Sequence, residues 1–123
     1  MTDLNNADAL RGWLRQCPAL GGNRAFGVDA LSDVPGSWAL CSVTPAADRR
    51  NILGGRLARP AEYRLALRAA SDEGARALEL MRGVADWIEA RGGPVRSDPA
   101  GALCRADGPT ARWEMRIWVE DRQ

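Results

Sequence analysis

The segment 110–120 narrows what this chain can fold into more than any other. Trp113, Met115, Ile117 and Val119 alternate there with Arg112, Glu114, Arg116, Trp118 and Glu120. A period of two places successive side chains on opposite faces of a strand. Segment 61–69 repeats the pattern: Tyr63, Leu65, Leu67 and Ala69 point one way, and Glu62, Arg64 and Arg68 the other. Such a strand is half-buried, with one face in a core and a charged face opposite. Asp107-Gly108-Pro109 is turn chemistry, and the short apolar segment 102–105 before it completes a β-hairpin with the final strand. Segment 38–44 is apolar on both faces and reads as a central strand closed by Pro45. Segment 49–59 reads as a weaker strand, interrupted by Gly54-Gly55 at a bulge, kink or hairpin tip. Residues 28–31 read as a short strand or turn, and 95–100 as a loop.

Two helices complete the pattern. Leu10, Trp13, Leu14 and Cys17 recur at i, i+3, i+4 and i+7, which predicts a helix over 7–17 that Asn5 or Asn6 caps and Pro18 ends. The second helix is predicted with Ser71 as N-cap and Asp72 and Glu73 in its first turn. Its core stripe is Leu78, Met81, Ala85 and Ile88, flanked by Val84 and Trp87, and Gly92-Gly93-Pro94 terminates it. The order of helix, strands, helix and hairpin predicts a single α+β domain over residues 1–123, with a mostly antiparallel sheet of four to five strands packed with two main helices.

Composition excludes several kinds of chemistry. The 123 residues contain no His, and all 17 basic residues are Arg. Histidine-activated nucleophiles, Cys/His zinc sites, Schiff-base lysines and P-loop lysines are therefore excluded. Ser37, Ser42, Ser71 and Ser97 lack a His or Lys to act as base. Cys17, Cys41 and Cys104 are odd in number and form no C-x-x-C, so they read as free thiols. The net charge of +1 advertises no polyanionic partner. The acidic, polar N-terminus and the lack of a long apolar run predict a cytoplasmic chain with no membrane partner. Neither glycine pair sits between a strand and a helix as a phosphate loop requires. The expectation is no catalytic residue, no metal site and no cofactor.

Two features point to recognition instead. Arg49, Arg50, Arg56 and Arg59 cluster around Gly54-Gly55 with no acid after Asp48. Arginine pairs bidentately with carboxylates and is enriched at interfaces. Trp118 falls out of phase with the apolar face of its strand. Either that strand is covered on both sides, or Trp118 faces a partner subunit.

In order along the chain, the motifs resemble those of one family. Leu10-Arg11-Gly12-Trp13-Leu14-Arg15-Gln16-Cys17-Pro18 resembles the opening of small phage and prophage tail proteins. Val28-Asp29-Ala30-Leu31 followed by Pro35-Gly36-Ser37-Trp38 is similar to their next stretch, as is the arginine-rich lead into Gly54-Gly55 followed by a strand with Tyr63 and Arg68. Trp87-Ile88-Glu89 matches their helix end, and Ala111-Arg112-Trp113-Glu114-Met115 their final strand. The family is the tail terminator or tail-completion group of minor tail proteins, some labelled minor capsid proteins.

The resemblance implies a structural virion protein. It would form a hexameric ring on the head-proximal end of the tail tube, stop tube polymerisation and allow head–tail joining. Its partners would be other copies of itself, the tail tube protein and the head–tail connector. DNA would pass through the ring lumen without being read for sequence. The protein would reside in the host cytoplasm during assembly and afterwards in the virion or tail-like particle. Under this reading Arg49, Arg50, Arg56, Arg59 and Trp118 are the candidate contacts with the tube or a neighbouring subunit. The alternatives are a small nucleic-acid-binding module using the arginine hairpin, and a small enzyme with a carboxylate-bound metal.

Overall fold

A computed structural model describes residues 4, 6–21, 25–43 and 61–120. Among them the alternating segments form one long pair: β3 (Ala61–Ala70) runs antiparallel to β6 (Thr110–Val119) in an unbroken register from Ala61↔Val119 to Ala70↔Thr110. That register stacks Tyr63, Leu65 and Leu67 beside Ile117, Met115 and Trp113 on one face, and all six are buried. The sheet extends from this pair in both directions. β2 (Trp38–Ser42) lies antiparallel to β3, and β1 (Phe26–Val28) lies parallel to β2. On the other side β4 (Val95–Ser97) and β5 (Ala102–Asp107) share the far edge of β6. The fold is α+β, with six described strands rather than the four to five expected.

The loop 29–37 joins two parallel strands and must reverse the chain twice over a short span. Left-handed backbone at Asp29 (φ 62°) and Gly36 (φ 94°) makes the reversals possible. Asp29 is one of the few non-glycine types that tolerates this region. Its carboxylate accepts a hydrogen bond from the Ser42 backbone N–H at 2.8 Å. Gly108 (φ 72°) followed by Pro109 suits a hairpin turn of type II′, which requires glycine first.

Both helices cover the same face. α1 (Ala7–Leu14) starts at Asn6, whose side chain accepts from the Ala9 N–H at 2.9 Å. It buries Leu10 and Leu14, and Cys17 is buried in the turns that follow. α2 (Gly74–Arg91) buries Ala77, Met81, Val84, Ala85 and Ile88, and ends at Gly92 in a left-handed cap. Burial of Met81, Val84 and Ile88 contributes about 1.5–3 kcal/mol per side chain. Trp13 of α1 meets Trp87 of α2 with ring centroids 5.0 Å apart, and the Arg91 guanidinium lies 4.7 Å from the Trp87 ring centroid.

Four sequence expectations are corrected here. The first helix stops at Leu14, short of Cys17. Ser71 does not cap α2: its hydroxyl donates to the Gly108 carbonyl, tying the start of the helix to the hairpin, and Glu73 is the residue at the cap. Leu78 is 37% exposed, and Ala77 takes its place in the core. Residues 95–97 are a strand, not loop, because Val95 pairs with Val119 and is buried. The expected strand 49–59 lies outside the described residues.

Glycine substitutions test this packing. A Cβ at Gly83, on α2, meets nothing within 4 Å, whereas one at Gly21 would lie 2.6 Å from the Arg15 carbonyl oxygen. Gly83→Ala is expected to stabilise by about 0.5–1 kcal/mol through helix propensity. Gly21→Ala is expected to destabilise by roughly 1 kcal/mol or more, since backbone must move. Urea denaturation of the two variants checks both signs.

Candidate functional site

The face of the sheet opposite the helices carries the charged half of each alternating strand. Glu62, Arg64, Ala66, Arg68 and Ala70 on β3 stand opposite Trp118, Arg116, Glu114, Arg112 and Thr110 on β6. Arg96 on β4 pairs in register with Trp118 from the other side. Trp118 therefore sits on this open face, as its phase in the sequence implied. It is partly exposed, with the Arg116 guanidinium 5.1 Å from its ring centroid and its indole N–H donating to Glu120 at 3.3 Å.

The arginines of this face are neutralised within the chain. Arg64, Arg68, Arg96, Arg105, Arg112 and Arg116 each lie within 4.0 Å of a carboxylate, drawn from Glu62, Asp33, Asp98, Asp107, Glu114 and Glu120. The tightest pair is Arg112–Glu114 at 2.7 Å. Most of these pairs are exposed enough to add about 0–1 kcal/mol each. Their effect is on composition: among the described residues these six positive and six negative paired groups make a mosaic with no excess of either sign.

Two of the arginines do more. Arg112 reaches from β6 across β3 to bring its Nη2 within 3.6 Å of the Cys41 sulfur on β2. Ala66, the β3 residue between them, is fully buried. A larger side chain at 66 would obstruct the arginine stem, which covers apolar surface while its head stays polar. Arg68 is 8% exposed. Its Nε donates to the Ser32 carbonyl at 3.3 Å and its Nη1 to Asp107 at 3.1 Å. It therefore clamps the loop 29–37 and the tip of the β5–β6 hairpin to β3. Asp33, at 4.0 Å and fully exposed, adds little.

The titratable groups follow these contacts. The hydrogen bond from Arg68 holds the Asp107 carboxyl below its ordinary range, helped by Arg105. Burial pushes the Cys17 and Cys41 thiols up, so both stay protonated at neutral pH and are poor nucleophiles. Among the described residues no three His, Cys, Asp or Glu side chains converge to hold a metal, and no helix is long and apolar enough to cross a membrane. At one end of the sheet, a cleft of about 260 Å³ lies between α2 and β4, lined by Ala85, Asp86, Glu89, Arg96, Asp98 and Trp118 among others.

Of the predicted site residues, only Trp118 can be placed. Arg49, Arg50, Arg56 and Arg59 lie outside the described residues. The roles of Arg68 and Arg112 had no signal in the sequence, because they depend on which strands are neighbours. No protein-family model, curated protein or solved structure matches the chain.

The Arg68 clamp is testable. Arg68→Ala is expected to cost about 1.5–3 kcal/mol, as loss of hydrogen bonds from a largely buried charge. It should also return the Asp107 titration midpoint toward the ordinary carboxylate value, followed by NMR. Because the folded value is depressed, the Asp107 contribution is fully present above about pH 4 and is lost as pH falls through the folded midpoint. The difference in stability between the parent and Arg68→Ala should therefore shrink in acid.

Proposed function

We propose that this chain is a structural subunit of a phage tail or tail-like particle. It forms a ring at the head-proximal end of the tail tube, stops tube polymerisation and allows the head to join. One observation carries the reading: both helices pack on one face of the sheet, and on the opposite face, which among the described residues carries no helix, Trp118 is partly exposed. A partly exposed tryptophan among arginines and carboxylates suits a protein neighbour, because such side chains anchor interfaces. The family resemblance of the sequence supplies the identity of that neighbour: another copy, the tube protein or the connector.

The physical requirements of such a ring are modest. A ring is a heterologous contact repeated until rotation closes it. Each copy offers one surface to the next and needs no catalysis or bound group. The internally paired arginines favour a protein over a phosphate backbone on this face, since binding phosphates there would break ion pairs already made.

Electron microscopy of particles assembled with and without the chain tests the reading. Loss of the chain is expected to give overlong or headless tubes. Trp118→Ala should do the same while leaving the fold intact by circular dichroism, since the side chain is only partly buried. Replacing Arg49, Arg50, Arg56 and Arg59 together by Ser should also impair capping. Tails of normal length joined to heads in the absence of the chain would sink the proposal.

A further inference from the structure

The two ends of the sheet are finished differently. At the β1 end one backbone carbonyl is capped by a helix side chain: Arg11 of α1 donates to the Phe26 carbonyl at 3.0 Å. At the other end β5 is exposed along its whole length and pairs, among the described residues, with β6 alone. Leu103 is 58% exposed there. An open edge strand with an apolar residue is a template for another strand.

The pattern of β5 says which strand would fit. Asp107 and Thr110 flank a two-residue turn and are directly opposed. In such a hairpin they form the hydrogen-bonded pair, so the next pair, Ala106↔Ala111, is non-bonded and the N–H and C=O of Ala106 point away from β6. Arg105 and Asp107 flank Ala106 and share the open face, with Arg105 Nε 2.9 Å from Asp107 Oδ1. The register shift between Leu103 and Arg105 ends the regular edge on the other side. The available edge is therefore centred on Ala106, with a positive charge on one side and a negative charge on the other.

We infer that β5 is a self-complementary edge that pairs antiparallel with β5 of a second copy about a two-fold axis at Ala106. Ala106 then exchanges both backbone hydrogen bonds with Ala106 of the second copy. Arg105 stands opposite Asp107 of the second copy, and Asp107 opposite Arg105, so the two internal Arg105–Asp107 pairs lie side by side with unlike charges adjacent and no internal pair has to break. The same register sets Leu103 beside the Gly108–Pro109 turn of the second copy. A two-fold contact is satisfied by a pair and does not itself build a ring. The inference therefore stands apart from the ring and concerns a different surface.

Sedimentation velocity of the full chain over a concentration series tests it. The expected result is a reversible pair with a dissociation constant on the order of 10–100 µM, because the paired stretch is short. Ala106→Pro removes the outward N–H without breaking a bond to β6, and Arg105→Asp sets like charges opposite one another twice. Each should weaken the pair at least tenfold. Arg105 is 70% exposed, so the second variant keeps the test valid if the proline variant unfolds. In a Cys104→Ser background, Ala106→Cys should form an intermolecular disulfide on mild oxidation, because residues paired across the axis lie within disulfide reach. Ala102→Cys should not. A chain that stays monomeric up to roughly millimolar concentration overturns the inference. So does a pair, or a six-membered assembly, that survives both substitutions; the six-membered assembly would at the same time support the ring.

Discussion

The structure depends on the register between β3 and β6. Ten residues pair with ten without a break, and side chains alternate with a period of two on both strands. A slip of one residue would carry Trp113, Met115, Ile117 and Val119 to the charged face and bring Arg112, Glu114 and Arg116 under the helices. Burying those charges without partners would cost far more than the sheet could recover. The register also decides what each neighbour meets. Val95 finds Val119, Leu40 finds Leu65, and both helices find a continuous apolar floor.

The same register makes the open face what it is. It sets Arg68 opposite Arg112 and Arg64 opposite Arg116. Like charges directly across a strand pair repel, and each of these arginines turns to a carboxylate elsewhere. Arg68 goes to Asp107, Arg112 to Glu114 and Arg116 to Asp98. The clamp at Arg68 and the span of Arg112 over Ala66 are two ways of relieving this conflict. Both stiffen the face by tying β2, the loop 29–37 and the hairpin to the central pair.

What could be read from sequence follows from how local each determinant is. The long alternating strands were legible because their period is unmistakable over ten residues, and Trp118 was placed off the apolar face by parity alone. β4 was missed because Val95-Arg96-Ser97 offers one apolar residue and no period; its strand character comes from the neighbour it finds. The rotation of α2 was legible at Met81, Ala85 and Ile88, and only its first position was misread, Leu78 for Ala77. Close approaches fix that rotation: a Cβ at Gly74 would lie 3.3 Å from the Trp113 ring, and one at Gly101 would collide with the Met81 side chain. Helical periodicity carries no record of them. Ser71 looked like a cap because a local rule fits it, yet the hairpin tip claims its hydroxyl. The partners of Arg68 and Arg112 required knowledge of the whole strand order.

The reliance on arginine has a further consequence. A chain with no histidine has no side chain with an ordinary titration point near neutrality. Arginine keeps its proton throughout, and the Cys17 and Cys41 thiols are pushed away from neutrality. The ion-paired face therefore carries no histidine switch. Under the proposed ring, a neighbour docking on this face would meet no histidine whose charge differs between an acidified and a neutral compartment. Control over that docking would then rest on shape, concentration or the order of assembly rather than on a histidine's proton.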